Sequence, residues 1–169
     1  SVLVFRNGNT VDMTTGFFSI SPDSQSVAFI KYKRWGKETD LKIYDADGNE
    51  KKTFTVDALG QVSLANDGRF VVYGSPLAEN KSDFKSFSFY NAAGVKGTTD
   101  IRRMASELKC QFSQGGTFLI LAGAFMTGAY SLYILDNNFT ITGQAEIVNS
   151  DKLCYVAAFD FDDASGQVA

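Results

Sequence analysis

Three stretches decide the fold: SPDSQSVAF from Ser21 to Phe29, ANDGRFVVY from Ala65 to Tyr73, and SQGGTFLIL from Ser113 to Leu121. They align without gaps as a small residue, turn formers, a variable position and an apolar run. The runs are Val27, Ala28 and Phe29, then Val71, Val72 and Tyr73, then Leu119, Ile120 and Leu121. Ala65 follows Ser21 by 44 positions and Ser113 follows Ala65 by 48; a weaker fourth copy, FDFDDASGQVA, places Gly166 50 positions after Gly116. Repetition at such a period marks a stack of similar supersecondary units.

Between the copies lie LKIYDADGNEKKTFTV (Leu41 to Val56), FSFYNAAGVKGTTDI (Phe87 to Ile101) and LYILDNNFTITGQAEI (Leu132 to Ile147). Each reads as an apolar strand, a polar turn and a second strand. Asn7-Gly8 and Asp47-Gly48 offer the positive φ that tight hairpins need, and Asn137-Asn138 tolerates it. SVLVFRNGNTVDM at the N-terminus is a shortened version. Each period thus holds two hairpins, the content of one four-stranded propeller blade. The expected fold is all-β, with propeller-like blades of four antiparallel strands: about three complete blades and two part-blades in a single domain of residues 1–169. Residues 1–13 form the outer hairpin of one part-blade, blades follow at 14–57, 58–101 and 102–147, and 148–169 form the inner hairpin of the other. One segment competes: in DIRRMASEL, Ile101, Met104, Ala105 and Leu108 recur at helical spacing behind a possible Asp100 cap, which predicts a short helix or helical turn.

SPDSQSVAF followed by LKIYDADGNE resembles the repeat of TolB-type and WD-repeat-like β-propellers, in which an S-P-D-G turn and strand precede a strand ending near I-Y-D-x-x-G. The likeness spans nearly the whole chain. Ser24 stands where that repeat has Gly, the second copy lacks Pro, and Gly115 replaces Asp in the third, so the chain resembles a divergent member. The resemblance implies a fold and an extracytoplasmic bacterial setting, and it carries no catalytic residues. Either the two part-blades join into a four-bladed ring or the chain belongs to a larger one. Open apolar blade faces favour a partial propeller that completes itself by association, or a fragment.

Composition narrows the function. The chain has 169 residues, 44% hydrophobic and 21% charged, with a net charge of -3. No basic excess marks a nucleic-acid partner. The longest apolar block, Phe118 to Met126, is too short to span a membrane, and SVLVFRNGN lacks a signal-peptide profile. Zero histidines remove the usual general base and the commonest metal ligand. There is no GxSxG, P-loop, GxGxxG or CxxC. Cys110 and Cys154 allow at most one bridge; two buried free thiols are the simpler reading. No catalytic residue, metal site or cofactor is assigned. DADGNE (Asp45, Asp47, Glu50) has a trace of a calcium loop but lacks its third ligand before Gly, and a hairpin turn explains it. Asp160, Asp162 and Asp163 read as like-charge crowding, with chelation as the alternative.

The distinctive segment is KYKRWGKETD, Lys31 to Asp40, where Lys33 and Arg34 precede Trp35, the only tryptophan. An exposed Trp beside cations has the character of a binding hot spot; the bland alternative is a solvated hairpin tip whose Trp folds back over the blade edge. Arg102 and Arg103 belong to a connection that could share that face. The expectation is a non-enzymatic binding or scaffolding module that engages a protein or peptide through Lys33, Arg34, Trp35, Arg102 and Arg103, with self-association through open blade faces. The alternatives are a carbohydrate-active or other hydrolytic propeller, and a structural segment of a larger sensor or surface protein.

Overall fold

A computed structural model of the chain describes residues 2–12, 15–31, 39–56, 58–76, 85–97, 102–103, 107–124, 129–148 and 161–168. Among the described residues every regular element is a strand. The chain divides into two compact units, Ser1–Arg103 and Met104–Ala169.

In the first unit, β1 (Val2–Val4) and β2 (Thr10–Asp12) form an antiparallel hairpin. A four-stranded sheet follows in the order β3 (Gly16–Ile20), β4 (Ser26–Lys31), β5 (Thr39–Asp45) and β6 (Glu50–Val56). A second sheet runs β7 (Ala58–Leu64), β8 (Phe70–Pro76), β9 (Lys85–Tyr90) and β10 (Arg102–Arg103). The second unit holds the sheet β11 (Glu107–Phe112), β12 (Phe118–Ala124), β13 (Ala129–Leu135) and β14 (Ile141–Val148), then the hairpin β15 (Phe161–Asp162) and β16 (Gln167–Val168). All neighbours are antiparallel, as short connections require.

The second strand of each sheet carries a continuous apolar run because it is covered on both faces. Ala28 and Ile30 on β4 join Leu41, Ile43, Val56, Val62, Leu64, Phe70, Val72 and Tyr90 in one core between the two sheets of the first unit. Val27 and Phe29, facing the other way, pack with Tyr44 and Phe5, beneath Leu3 and Val11 of the N-terminal hairpin. Phe70 stacks on Tyr90 at 4.6 Å and meets Phe54 of the preceding sheet at 5.2 Å. Burying one such ring contributes about 1.5–3 kcal/mol. In the second unit, Leu119, Leu121, Tyr130 and Leu132 form the core, with Ile134 and Phe161 packed against it.

Three sequence expectations change. First, the repeats need a one-residue gap. Ile20 pairs with Val27 across six residues, whereas Leu64 pairs with Phe70 and Phe112 with Phe118 across five. Val27 is therefore the counterpart of Phe70, and an ungapped alignment puts its side chain on the wrong face of the sheet. Second, the helix expected from Asp100 to Leu108 is not formed where the chain is described. Arg102 and Arg103 pair with Ser86 and Lys85, and Glu107 and Leu108 pair with Gly123 and Ala122. Ladder pairing overrides the weak local periodicity. Third, the positive φ of the last outer turn falls on Phe139 (59°), not on Asn137-Asn138.

Candidate functional site

The expected binding residues lie on two segments with different standing. Lys33, Arg34 and Trp35 lie outside the described residues, but the stem that carries them is fixed. The chain leaves β4 at Lys31 and re-enters β5 at Thr39, whose buried hydroxyl donates to the Lys31 carbonyl at 2.7 Å. Ile30 and Leu41 pair across the same stem and are both fully buried. A loop rooted on paired, buried strands is a common carrier of binding residues. Arg102 and Arg103 form β10, at the edge of the second sheet beside β9. Seven residues, 32–38, separate the two strands at that stem.

The carboxylates are employed in turns. Asp45 accepts hydrogen bonds from the Asp47 amide (3.0 Å), the Asn49 amide (2.9 Å) and Asn49 Nδ2 (3.1 Å), and the bonds from Asn49 hold its carboxyl below the usual range. Glu50 instead pairs with Lys42 Nζ at 2.6 Å and accepts from Thr53 Oγ1 at 2.7 Å, which lowers its carboxyl as well. The two groups serve different partners. Among the described residues no three or more His, Cys, Asp or Glu gather as metal ligands.

Asp162 and Asp163 are not merely crowded. Asp162 accepts from the Ala164 amide at 3.0 Å and from Ser165 Oγ at 2.7 Å, closing its own turn. Asp163 reaches back 50 residues to the third repeat turn, accepting from Ser113 Oγ (2.7 Å), the Gly115 amide (2.6 Å) and Thr117 Oγ1 (2.9 Å). Desolvation raises its pKa, but these three donors outweigh that and hold the carboxyl below its ordinary value. In the first repeat Asp23 does the same work from within the turn, accepting from Ser21 Oγ at 2.6 Å and the Gln25 amide at 3.0 Å. Gly115 replaces that Asp, and the Asp163 carboxylate occupies the space a side chain there would need. An ionised acceptor saturated in this way fixes a turn; it is a poor proton acceptor at neutral pH. Asp160 lies outside the described residues.

Sequence reading missed Arg69. It is buried in the second repeat turn, with Nε donating to Asp67 Oδ2 at 2.7 Å; the i, i+2 spacing of opposite charges in ANDGRF was the available signal. Cys110 is a free thiol on β11, and desolvation pushes its pKa up to about 12, so it is a poor nucleophile at neutral pH. Cys154 lies outside the described residues.

No protein-family description matches the chain, and no curated protein matches its sequence. Its fold is similar to that of solved structures. One is hydrazine synthase of Kuenenia stuttgartiensis, at 13% identity and a TM-score of 0.51 over 85% of this chain and 45% of that one. Another comes from a study of two prolyl endopeptidases and the role of inter-domain dynamics in their catalysis and specificity, at 12% identity and a TM-score of 0.54 over 95% of this chain and 25% of that one. The chain is an all-β protein of propeller-like fold. It spans less than half the length of either structure.

These similarities correct the expectation that the chain has no enzymatic role. Both of these solved structures are of enzymes. The error was to treat the residues missing from this span as missing from the chemistry. When a propeller-like segment makes up a quarter or a half of an enzyme, its lack of histidine says nothing of the rest.

Proposed function

We propose that this chain is a propeller-type segment of a hydrolytic enzyme acting on peptides, and that it contributes recognition of the substrate. The observation that carries this reading is the fold similarity to a prolyl endopeptidase structure over 95% of this chain but only 25% of the other. The sequence supplies the contact chemistry. Proline-rich peptides present a stiff, extended backbone that docks on aromatic side chains at low entropic cost. Trp35 and Tyr32 are aromatic, and Lys31, Lys33, Arg34 and Lys37 adjoin them in the sequence with positive charge. In this reading Lys33, Arg34 and Trp35 form the primary contact, with Arg102 and Arg103 as a second cationic pair. The TolB-type likeness of SPDSQSVAF supports the blade unit, and with it an extracytoplasmic setting.

The test is fluorescence anisotropy with a labelled proline-containing peptide, run beside a fluorogenic prolyl-peptide hydrolysis assay on the same protein. Peptide binding should weaken about tenfold or more on combining Arg34→Ala with Trp35→Ala, the size expected for a hot-spot pair. It should also weaken with added salt, which screens contacts made by charged side chains. Absence of both binding and hydrolysis overturns the reading. Binding unaffected by the double substitution overturns the assignment of the site.

A further inference from the structure

We propose that Asn7-Gly8, at the tip of the β1–β2 hairpin, is a site of spontaneous deamidation, and that its isoaspartyl product releases this hairpin from the sheet β3–β6. Asn7 is the only asparagine of the chain that precedes glycine. In the step, the deprotonated Gly8 nitrogen bonds to Asn7 Cγ and the Cγ–Nδ2 bond breaks. Ammonia leaves with a proton from solvent, replacing the one Gly8 gave up, and a succinimide remains. Water then opens the ring: addition at Cγ gives aspartate, and addition at the former Asn7 backbone carbonyl gives isoaspartate. Gly8 has no Cβ to obstruct the approach of its nitrogen.

This turn equips its asparagine as the related turns do not. Four described turns close with the same two backbone bonds: the amides of Phe5, Asp45, Asn91 and Asp136 donate to the carbonyls of Asn9, Asn49, Val95 and Thr140, and those of Gly8, Gly48, Gly94 and Phe139 donate back to the first residue. In the last three, the side chain of Asp45, Asn91 or Asp136 also accepts the amide of Asn49, Val95 or Thr140 at 2.9 Å. Phe5 has no acceptor to offer, and the Asn9 amide donates to Asn7 Oδ1 at 2.9 Å instead. That donor polarises the carboxamide under attack and stabilises the negative oxygen that forms on it. Opposing it, the Gly8 amide is engaged by the Phe5 carbonyl at 2.9 Å and must first be freed by local opening. The Phe139 amide carries the same restraint, to the Asp136 carbonyl at 2.9 Å. Asn138 is therefore an internal control: it shares the position and the restraint, but it precedes a buried Phe139, and the Thr140 amide goes to Asp136. Solvent reaches this position even where a neighbouring hairpin covers the turn. Asn7 is exposed, and so are Asp47, whose turn lies under the Phe5 ring, and Ala93, whose turn meets the Phe54 ring.

The isoaspartyl linkage adds a backbone carbon between Phe5 and Gly8, so the two closing bonds can no longer both form. The attachment of the hairpin depends on that turn. Asn9 Nδ2 donates to the Asp47 carbonyl at 2.8 Å, and Phe5, with Leu3 and Val11, packs on Val27, Phe29 and Tyr44. An aspartyl product keeps the turn, because its carboxylate accepts the Asn9 amide as the carboxamide did.

The test ages the protein in mildly alkaline buffer, which favours loss of the Gly8 amide proton, and follows each asparagine by peptide mapping with tandem mass spectrometry. Labelling with an isoaspartyl methyltransferase distinguishes isoaspartate from aspartate. Asn7 should deamidate about tenfold faster than Asn138, or more. In the isoaspartyl fraction, hydrogen–deuterium exchange over residues 2–12 should be about tenfold faster than in fresh protein, whereas Asn7→Asp, which has the charge without the altered linkage, should exchange as fresh protein does. Three results overturn the proposal: Asn7 reacting no faster than Asn138, unchanged exchange over residues 2–12 in the isoaspartyl fraction, or equally fast exchange in Asn7→Asp. None of these outcomes depends on peptide binding.

Discussion

Ser24 and Phe139 hold the left-handed backbone conformation, with φ of 61° and 59°, that six glycines hold at the other turns. The two differ in what the side chain returns. Ser24 sits at a turn tip, so Ser24→Gly should stabilise the protein by about 1 kcal/mol, seen as a higher urea midpoint. Phe139 is buried against Phe112 and Phe118 at 6.3 and 6.4 Å. Phe139→Gly should therefore destabilise despite relieving the backbone, by about 3 kcal/mol. The sequence made the positive-φ turns legible wherever Gly marks them, and hid these two because packing and turn length, not residue type, place them. Asp163 was opaque for a related reason: its partners stand 46 to 50 residues away, and no local pattern announces that a carboxylate missing from one turn is supplied by the next. Its depressed carboxyl gives a pH test. The stability it contributes is present above the unfolded carboxylate pKa of about 4 and is lost as pH falls through the lower folded value. Asp163→Asn should flatten that part of the acid limb in urea melts run between about pH 5 and pH 2.5, and an unchanged limb would show that the three hydrogen bonds do not stabilise the fold.

At the scale of the element, strands and hairpin turns were readable from alternation and turn chemistry, while register was not. The inserted residue between Ile20 and Val27 shifts a whole strand by one, which changes the face of every side chain on it. The contacts between sheets then decide which positions matter. Gly94 has φ of 78° and packs its turn directly on the Phe54 ring, so Gly94→Ala meets both strain and a clash. It should cost about 1–3 kcal/mol. Lys52 Nζ also reaches the Ala92 carbonyl of that turn at 2.8 Å, just as Asn9 Nδ2 reaches the Asp47 carbonyl at 2.8 Å one repeat earlier. Outer hairpins are thus stitched to the next outer turn by side chains that sequence reading leaves as solvated polar residues. Phe70, fully buried between Phe54 and Tyr90, is where the first two sheets are joined. Phe70→Ala should lower stability by about 3–5 kcal/mol. A loss no larger than that of an exposed substitution would mean that the two sheets do not share a core.

For the molecule as a whole, the repeat made the architecture legible and left the chemistry unread. The absence of histidine bears on this span alone, and the similarity to enzyme structures more than twice as long as the part they share with it corrects the inference drawn from it. What the span offers is the segment Lys31 to Asp40, of distinctive composition, beside a stem where Ile30 and Leu41 pair and are buried. The claim that this segment recognises peptide is tested most directly by hydrogen–deuterium exchange, with and without a saturating proline-containing peptide. The account predicts that peptide slows exchange in residues 31–40 and 102–103, leaves the strand cores of β4, β8 and β12 unchanged, and has no such effect once Arg34 and Trp35 are both alanine. Protection confined to other segments, or none at saturation, would contradict it.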